Sequence, residues 1–118
     1  MQTEQLLKTV TDVIDEHKGE NISVLDVRDK TTVTDYMVIV TATSDRHARA
    51  LCSYVSEKVK KLGVSHPGFE GDQGSDWVLL DLGDVILHVM TTQAREFYQL
   101  EKLWRMDASQ NNEEAVNR

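Results

Sequence analysis

Ser75-Asp76-Trp77-Val78-Leu79-Leu80-Asp81-Leu82-Gly83-Asp84-Val85-Ile86-Leu87-His88-Val89-Met90 is the stretch on which the fold turns. Two apolar runs flank Gly83-Asp84, and a glycine at the first central position suits a two-residue hairpin. Side chains alternate along a strand, so pairing across that turn sorts them by face. Val78, Leu80, Leu82, Val85, Leu87 and Val89 share one face, the expected core. The other face sets Trp77 opposite Met90, Leu79 opposite His88 and Asp81 opposite Ile86. Its mixture of indole, thioether, aliphatic and polar groups is that of a protein contact surface. This second face is therefore expected to turn outward.

Working outward, Leu6, Leu7, Val10, Val13, Ile14 and His17 recur at helical spacing over residues 4–17, with Thr3 as N-cap and Gly19 as stop. Residues 22–27 and 36–41 read as strands, separated by the polar turn Arg28-Asp29-Lys30-Thr31-Thr32. Ser44 caps a helix over about 45–62 whose apolar stripe is Ala48, Leu51, Cys52, Val55, Val59 and Leu62. Asp45 suits its positive start, and Lys58, Lys60 and Lys61 its negative end. Ser65–Asp76 holds the single proline and several glycines and is mainly loop, with a short strand at Phe69-Glu70. A last helix over 94–104 buries Phe97, Leu100 and Trp104 and turns Tyr98, Glu101 and Arg105 elsewhere. Residues 105–118 are polar and are expected to be a disordered tail following one domain over residues 1–104. The order of elements implies a mixed α/β sheet with a parallel join across the long helix.

The chain has 118 residues, one cysteine and a net charge of -7. That length supports one domain with its own core. A lone Cys52 forms no internal disulfide, which fits a reduced, cytoplasmic setting. No apolar run approaches the ~20 residues of a membrane span, and Met1-Gln2-Thr3-Glu4 does not begin a signal peptide. An acidic chain is poorly suited to coating nucleic acid, so little direct nucleic-acid binding is expected. A basic protein is the better-matched partner.

Thr34-Asp35-Tyr36 entering a strand, Thr43-Ser44-Asp45-Arg46-His47, Gly68-Phe69-Glu70-Gly71, Asp76-Trp77, Asp81-Leu82-Gly83-Asp84-Val85, His88-Val89-Met90 and Arg95-Glu96-Phe97-Tyr98-Gln99-Leu100-Glu101-Lys102-Leu103-Trp104 follow one another along the chain. Together they resemble the Iojap family, the bacterial ribosomal silencing factors. The resemblance spans most of residues 1–104. It implies a single-domain α/β fold, a five-stranded mixed sheet with flanking helices, similar to nucleotidyltransferases. It also implies a function. Such proteins bind large-subunit ribosomal protein fourteen, block joining of the small and large subunits, and repress translation under nutrient limitation. Members are often homodimers. Ala42 stands where members often carry glycine.

The scaffold raises an alternative, a metal-dependent nucleotidyltransferase-like enzyme. Such enzymes pair a Gly-Ser phosphate loop with two acids one residue apart on a strand. Gly74-Ser75 is present, but Asp81 and Asp84 are split by the turn. His17, His47, His66 and His88 are scattered without ligand spacing, and Cys52 lies in an apolar stripe. The expectation is no catalysis, no metal and no cofactor. Thr41-Ala42-Thr43-Ser44 enters a helix, a geometry able to hold an anion, but capping by Ser44 is the simpler account.

Trp77 suits either a second buried layer or an exposed anchor. Its polar neighbours Asp81 and His88 favour the anchor. The expected partner surface is Trp77, Leu79, Asp81, Ile86, His88 and Met90, joined by Tyr98. Asp81 pairs with a partner's base or with Arg95, and Arg95 is otherwise solvated.

Overall fold

The hairpin forms in the register its alternation dictates. In a computed structural model, which describes residues 2–71 and 74–104, Trp77 pairs with Met90, Leu79 with His88 and Asp81 with Ile86. The turn closes with the Leu82 N–H donating to the Val85 carbonyl at 2.9 Å, and Gly83 takes φ +86°. That positive φ is what the first central position of a primed turn needs.

The elements run α1 (Thr3–Glu16), β1 (Glu20–Asp26), β2 (Tyr36–Ala42), α2 (Asp45–Lys61), β3 (Gly68–Glu70), β4 (Trp77–Asp81), β5 (Val85–Thr91) and α3 (Thr92–Tyr98). The five strands make one sheet in the order β1-β2-β5-β4-β3. β2 and β5 are parallel and the other pairs antiparallel. The parallel join runs across α2, as a crossover must. Ala42 closes β2 as a buried strand residue, and it is absent from the positive-φ positions, so no glycine is needed there.

The sheet has helices on both faces. Val78, Leu80, Leu82, Val85, Leu87 and Val89 pack with α1 (Leu6, Val10, Val13, Ile14) and α2 (Ala48, Leu51, Cys52, Val55, Val59) in the main core. On the reverse face Leu25, Val27, Met37, Ile39 and Met90 meet Ala94 and Leu100, with Trp77 and Trp104 packed at the edge. Two caps differ in outcome. Ser44 Oγ accepts from the His47 N–H at 3.0 Å, as expected. Thr3 is not the cap of α1; Gln2 occupies that position, and Thr3 Oγ1 donates to Asp84 Oδ2 at 3.0 Å. Gly19 serves close packing, since a Cβ there would lie 2.2 Å from Ile14 Cγ2 and 2.8 Å from Val40 Cγ2.

The last helix is shorter than its apolar spacing suggests. Gln99 adopts a left-handed conformation (φ 47°, ψ 48°), and residues 100–104 are helical again beyond it. The break shifts the phase of the stripe. Leu100 is buried and Trp104 half-buried, but Phe97 is 80% exposed. The expectation that Phe97 is buried is thus corrected. The expectation for the 105–118 tail falls outside the described residues.

Candidate functional site

The reverse face of the sheet is divided rather than open. Met90 is fully buried, with His88 at 5% and Ile86 at 8% exposure. These three belong to β5, which lies between β2 and β4 in the sheet, and α3 returns across its C-terminal end. Their expected place on an outward contact surface is therefore corrected: they support that surface from beneath. Trp77 and Leu79 on β4 are half-buried, Asp81 is exposed, and Tyr98 is 50% exposed. The accessible part of the expected surface is thus the β4 rim with Tyr98.

Aromatic contacts tie the rim together. The Trp77 and Tyr98 ring centroids are 4.8 Å apart, and Phe97 meets Tyr98 edge-on at 5.0 Å. Tilted and edge-on ring pairs are favourable beyond the area they bury. Trp77 Nε1–H donates to His88 Nδ1 at 3.1 Å. An indole nitrogen can only donate, so Nδ1 accepts and the neutral ring carries its proton on Nε2. Nε2 is buried and has no hydrogen-bond partner among the described residues. Burial depresses the His88 pKa to about 4, so the ring is neutral at physiological pH. His88 thereby orients the indole that forms the floor of the surface.

α3 is held in place by Arg95. Its Nε donates to Glu101 Oε1 at 2.7 Å and its terminal nitrogen to Thr41 Oγ1 at 2.8 Å. Arg95 is only 15% exposed along its side chain, so it is neither solvated nor the partner of Asp81. Asp81 instead accepts from the Gly83 N–H at 2.9 Å through Oδ1, stabilising the hairpin turn. Its carboxylate remains at the surface, on an exposed residue.

Sequence reasoning missed two exposed apolar residues, Phe97 (80% exposed), which meets Tyr98 of this rim, and Leu103 (57% exposed). Helical spacing placed Phe97 inside. Only the backbone break at Gln99 reveals it, and glutamine gives no such signal.

The residues weighed for catalysis serve other contacts. Asp81 holds the turn and Asp84 accepts from Thr3. Ser75 Oγ donates to the Trp77 carbonyl at 2.9 Å. Among the described residues no group of three His, Cys, Asp or Glu side chains is placed to hold a metal ion. Cys52 is buried and its thiol is pushed up to about 12 by desolvation, the state of an inert packing residue.

The fold and this surface define a class, a small mixed α/β domain with an aromatic rim along β4 and α3. Its residues 1–118 match the family model described as "Ribosomal silencing factor during starvation", and the chain belongs to that family. It is 42% identical over 99 residues to the ribosomal silencing factor RsfS of Haemophilus influenzae, covering 84% of this chain and 97% of that one. The RsfS of Chromobacterium violaceum is 36% identical over 104 residues, covering 88% of this chain and 85% of that protein. A crystal structure of a Chromobacterium violaceum protein superposes with a TM-score of 0.84 at 36% identity, over 88% of this chain and 87% of the other.

Proposed function

We propose that this chain docks on the large ribosomal subunit through large-subunit ribosomal protein fourteen and blocks joining of the small subunit. Translation is thereby repressed when nutrients are limiting. The reading rests on the chain's family and on one observation: an aromatic pair at the surface, half-buried Trp77 against exposed Tyr98, on the same strand rim as the exposed carboxylate of Asp81. Aromatic anchors carry most of the energy of many protein contacts. Acidic neighbours on a chain of net charge -7 favour a basic protein over an RNA surface. The mechanism is steric, since two bodies cannot occupy one joining surface, and it requires no turnover. In this reading the chain works in the cytoplasm, and pairing with a second copy of itself is compatible with docking on the subunit.

The contact is tested by pelleting with purified large subunits. Trp77→Ala, Asp81→Lys and Tyr98→Ala are each expected to weaken binding by about tenfold or more. Circular dichroism checks that they fold, and a sucrose gradient reads the shift from joined ribosomes to free subunits. Normal binding by all three variants removes the β4 rim as the docking surface.

A further inference from the structure

On the other side of the sheet, the end of α1 and the first turns of α2 border a cavity of about 500 Å³. Glu16, His17, Lys18, Arg46, Ala50 and Tyr54 line most of it. Its shape follows from the sequence of α2. Arg46, Ala50 and Tyr54 are spaced four apart, so they follow one another along one side of the helix. The alanine leaves a dent between two long side chains.

The aromatic wall of this dent is fixed. Tyr54 stacks on His17 with ring centroids 3.8 Å apart and planes 10° from parallel. His47 accepts from the Thr43 N–H through Nδ1 at 3.0 Å, so its Nε2 carries the proton and donates to the His17 carbonyl, also at 3.0 Å. The end of α1 is thereby tied to the start of α2.

The charges are placed for an anion. Lys18 and Arg46 are exposed, and neither forms an ion pair with a carboxylate among the described residues. Two cations face one lining carboxylate, Glu16, in a molecule whose net charge is -7. Two backbone amides at the start of α2 are already engaged. His47 N–H bonds Ser44 Oγ, and Ala48 N–H bonds the Ser44 carbonyl at 3.0 Å. Recognition of an anion is therefore led by the two side chains, Lys18 and Arg46.

We propose that this cavity binds a purine nucleotide, its base against the Tyr54–His17 wall and its phosphates held by Lys18 and Arg46. The volume lies within the range of small-molecule sites. Bare phosphate would leave the dent over Ala50 and the ring wall unused. A nucleic-acid strand needs a basic track along its backbone, which an acidic chain does not offer. Aromatic rings and cations together suit a base joined to phosphate.

The full chain is titrated calorimetrically with ATP, GTP, adenosine and inorganic pyrophosphate. At least one nucleotide is expected to bind, and adenosine and pyrophosphate to bind about tenfold or more weakly than it does. Ala50→Leu, which fills the dent, and Arg46→Glu, which reverses a cation, are each expected to cost about tenfold in nucleotide affinity. Both should leave large-subunit pelleting unchanged, because they lie across the sheet from Trp77. No heat with either nucleotide overturns the proposal. Pyrophosphate binding as tightly as the nucleotides overturns the seat for the base. Unaltered nucleotide binding in both variants overturns the site. Should Ala50→Leu fail to fold, the exposed Arg46→Glu carries the same decision.

Discussion

His88 is a histidine made to behave as a neutral hydrogen-bond acceptor. Desolvation takes its pKa from the ordinary 6.5 to about 4. Over that window the unfolded chain binds a proton that the folded chain refuses, so stability falls as pH drops from 6.5 toward 4 and is fully retained above it. The shift corresponds to about 3 kcal/mol across the window. Protonation would also remove the acceptor for the Trp77 indole. Urea unfolding at pH 7 and pH 4.5 is expected to show this loss. In His88→Leu the pH dependence should be shallower by a similar amount, even if the variant is less stable throughout. An unchanged slope would assign the acid sensitivity to other groups. At this scale Trp77, Leu79, Asp81 and Tyr98 were legible as the accessible residues because strand alternation and helical spacing place them directly. The burial of Ile86, His88 and Met90 was not: Met90 packs with Ala94 and Leu100 and His88 bonds the Trp77 indole, contacts that strand alternation does not show.

Among the helices, α3 is the one whose position is least secured by its own length. It runs only Thr92–Tyr98, and helices this short gain little from propagation. Thr91 caps its start, accepting from the Ala94 N–H through Oγ1 at 3.2 Å. Arg95 then joins three segments, α3 itself, Glu101 beyond the Gln99 break, and Thr41 on β2. Arg95→Ala removes one charge-assisted bond from a carboxylate that is 23% exposed and strands a hydroxyl on a residue that is 4% exposed. The expected loss is about 1–3 kcal/mol in denaturant unfolding. Loosened packing between Tyr98 and Trp77 should accompany it, read as a change in native tryptophan fluorescence. Stability and fluorescence both equal to wild type would mean that apolar contacts alone position α3. The hairpin and α2 were legible because alternation, a turn glycine and a Ser cap all agree. The division of the last helix was not, since it hangs on a positive φ at a residue with no special tolerance for it. At the other edge Asn21, a residue type more tolerant of positive φ, takes φ 52° within β1, where the register shifts between Glu20 and Ser23.

For the whole molecule, the sequence implied a parallel join, but the order β1-β2-β5-β4-β3 sets what that join accomplishes. Connecting β2 to β3 through α2 carries the chain past the sheet's centre, so the hairpin can return β5 beside β2. α3 then leaves β5 on the face opposite α1 and α2, and one side of the sheet retains an accessible rim. The molecule presents this rim with a net charge of -7. Ribosomal RNA is a dense polyanion, so approach toward RNA would be opposed at low salt, while approach toward a basic protein would be favoured. The sign of the salt effect on association therefore distinguishes the two. With immobilised large subunits, raising salt from about 50 to 500 mM should slow association by about tenfold, because screening shortens the reach of the attraction. Dissociation should change much less, since the proposed anchors, Trp77 and Tyr98, are aromatic side chains that would act at close range. Faster association at high salt would mean that repulsion by RNA dominates the encounter, and the basic-protein docking site would have to be abandoned.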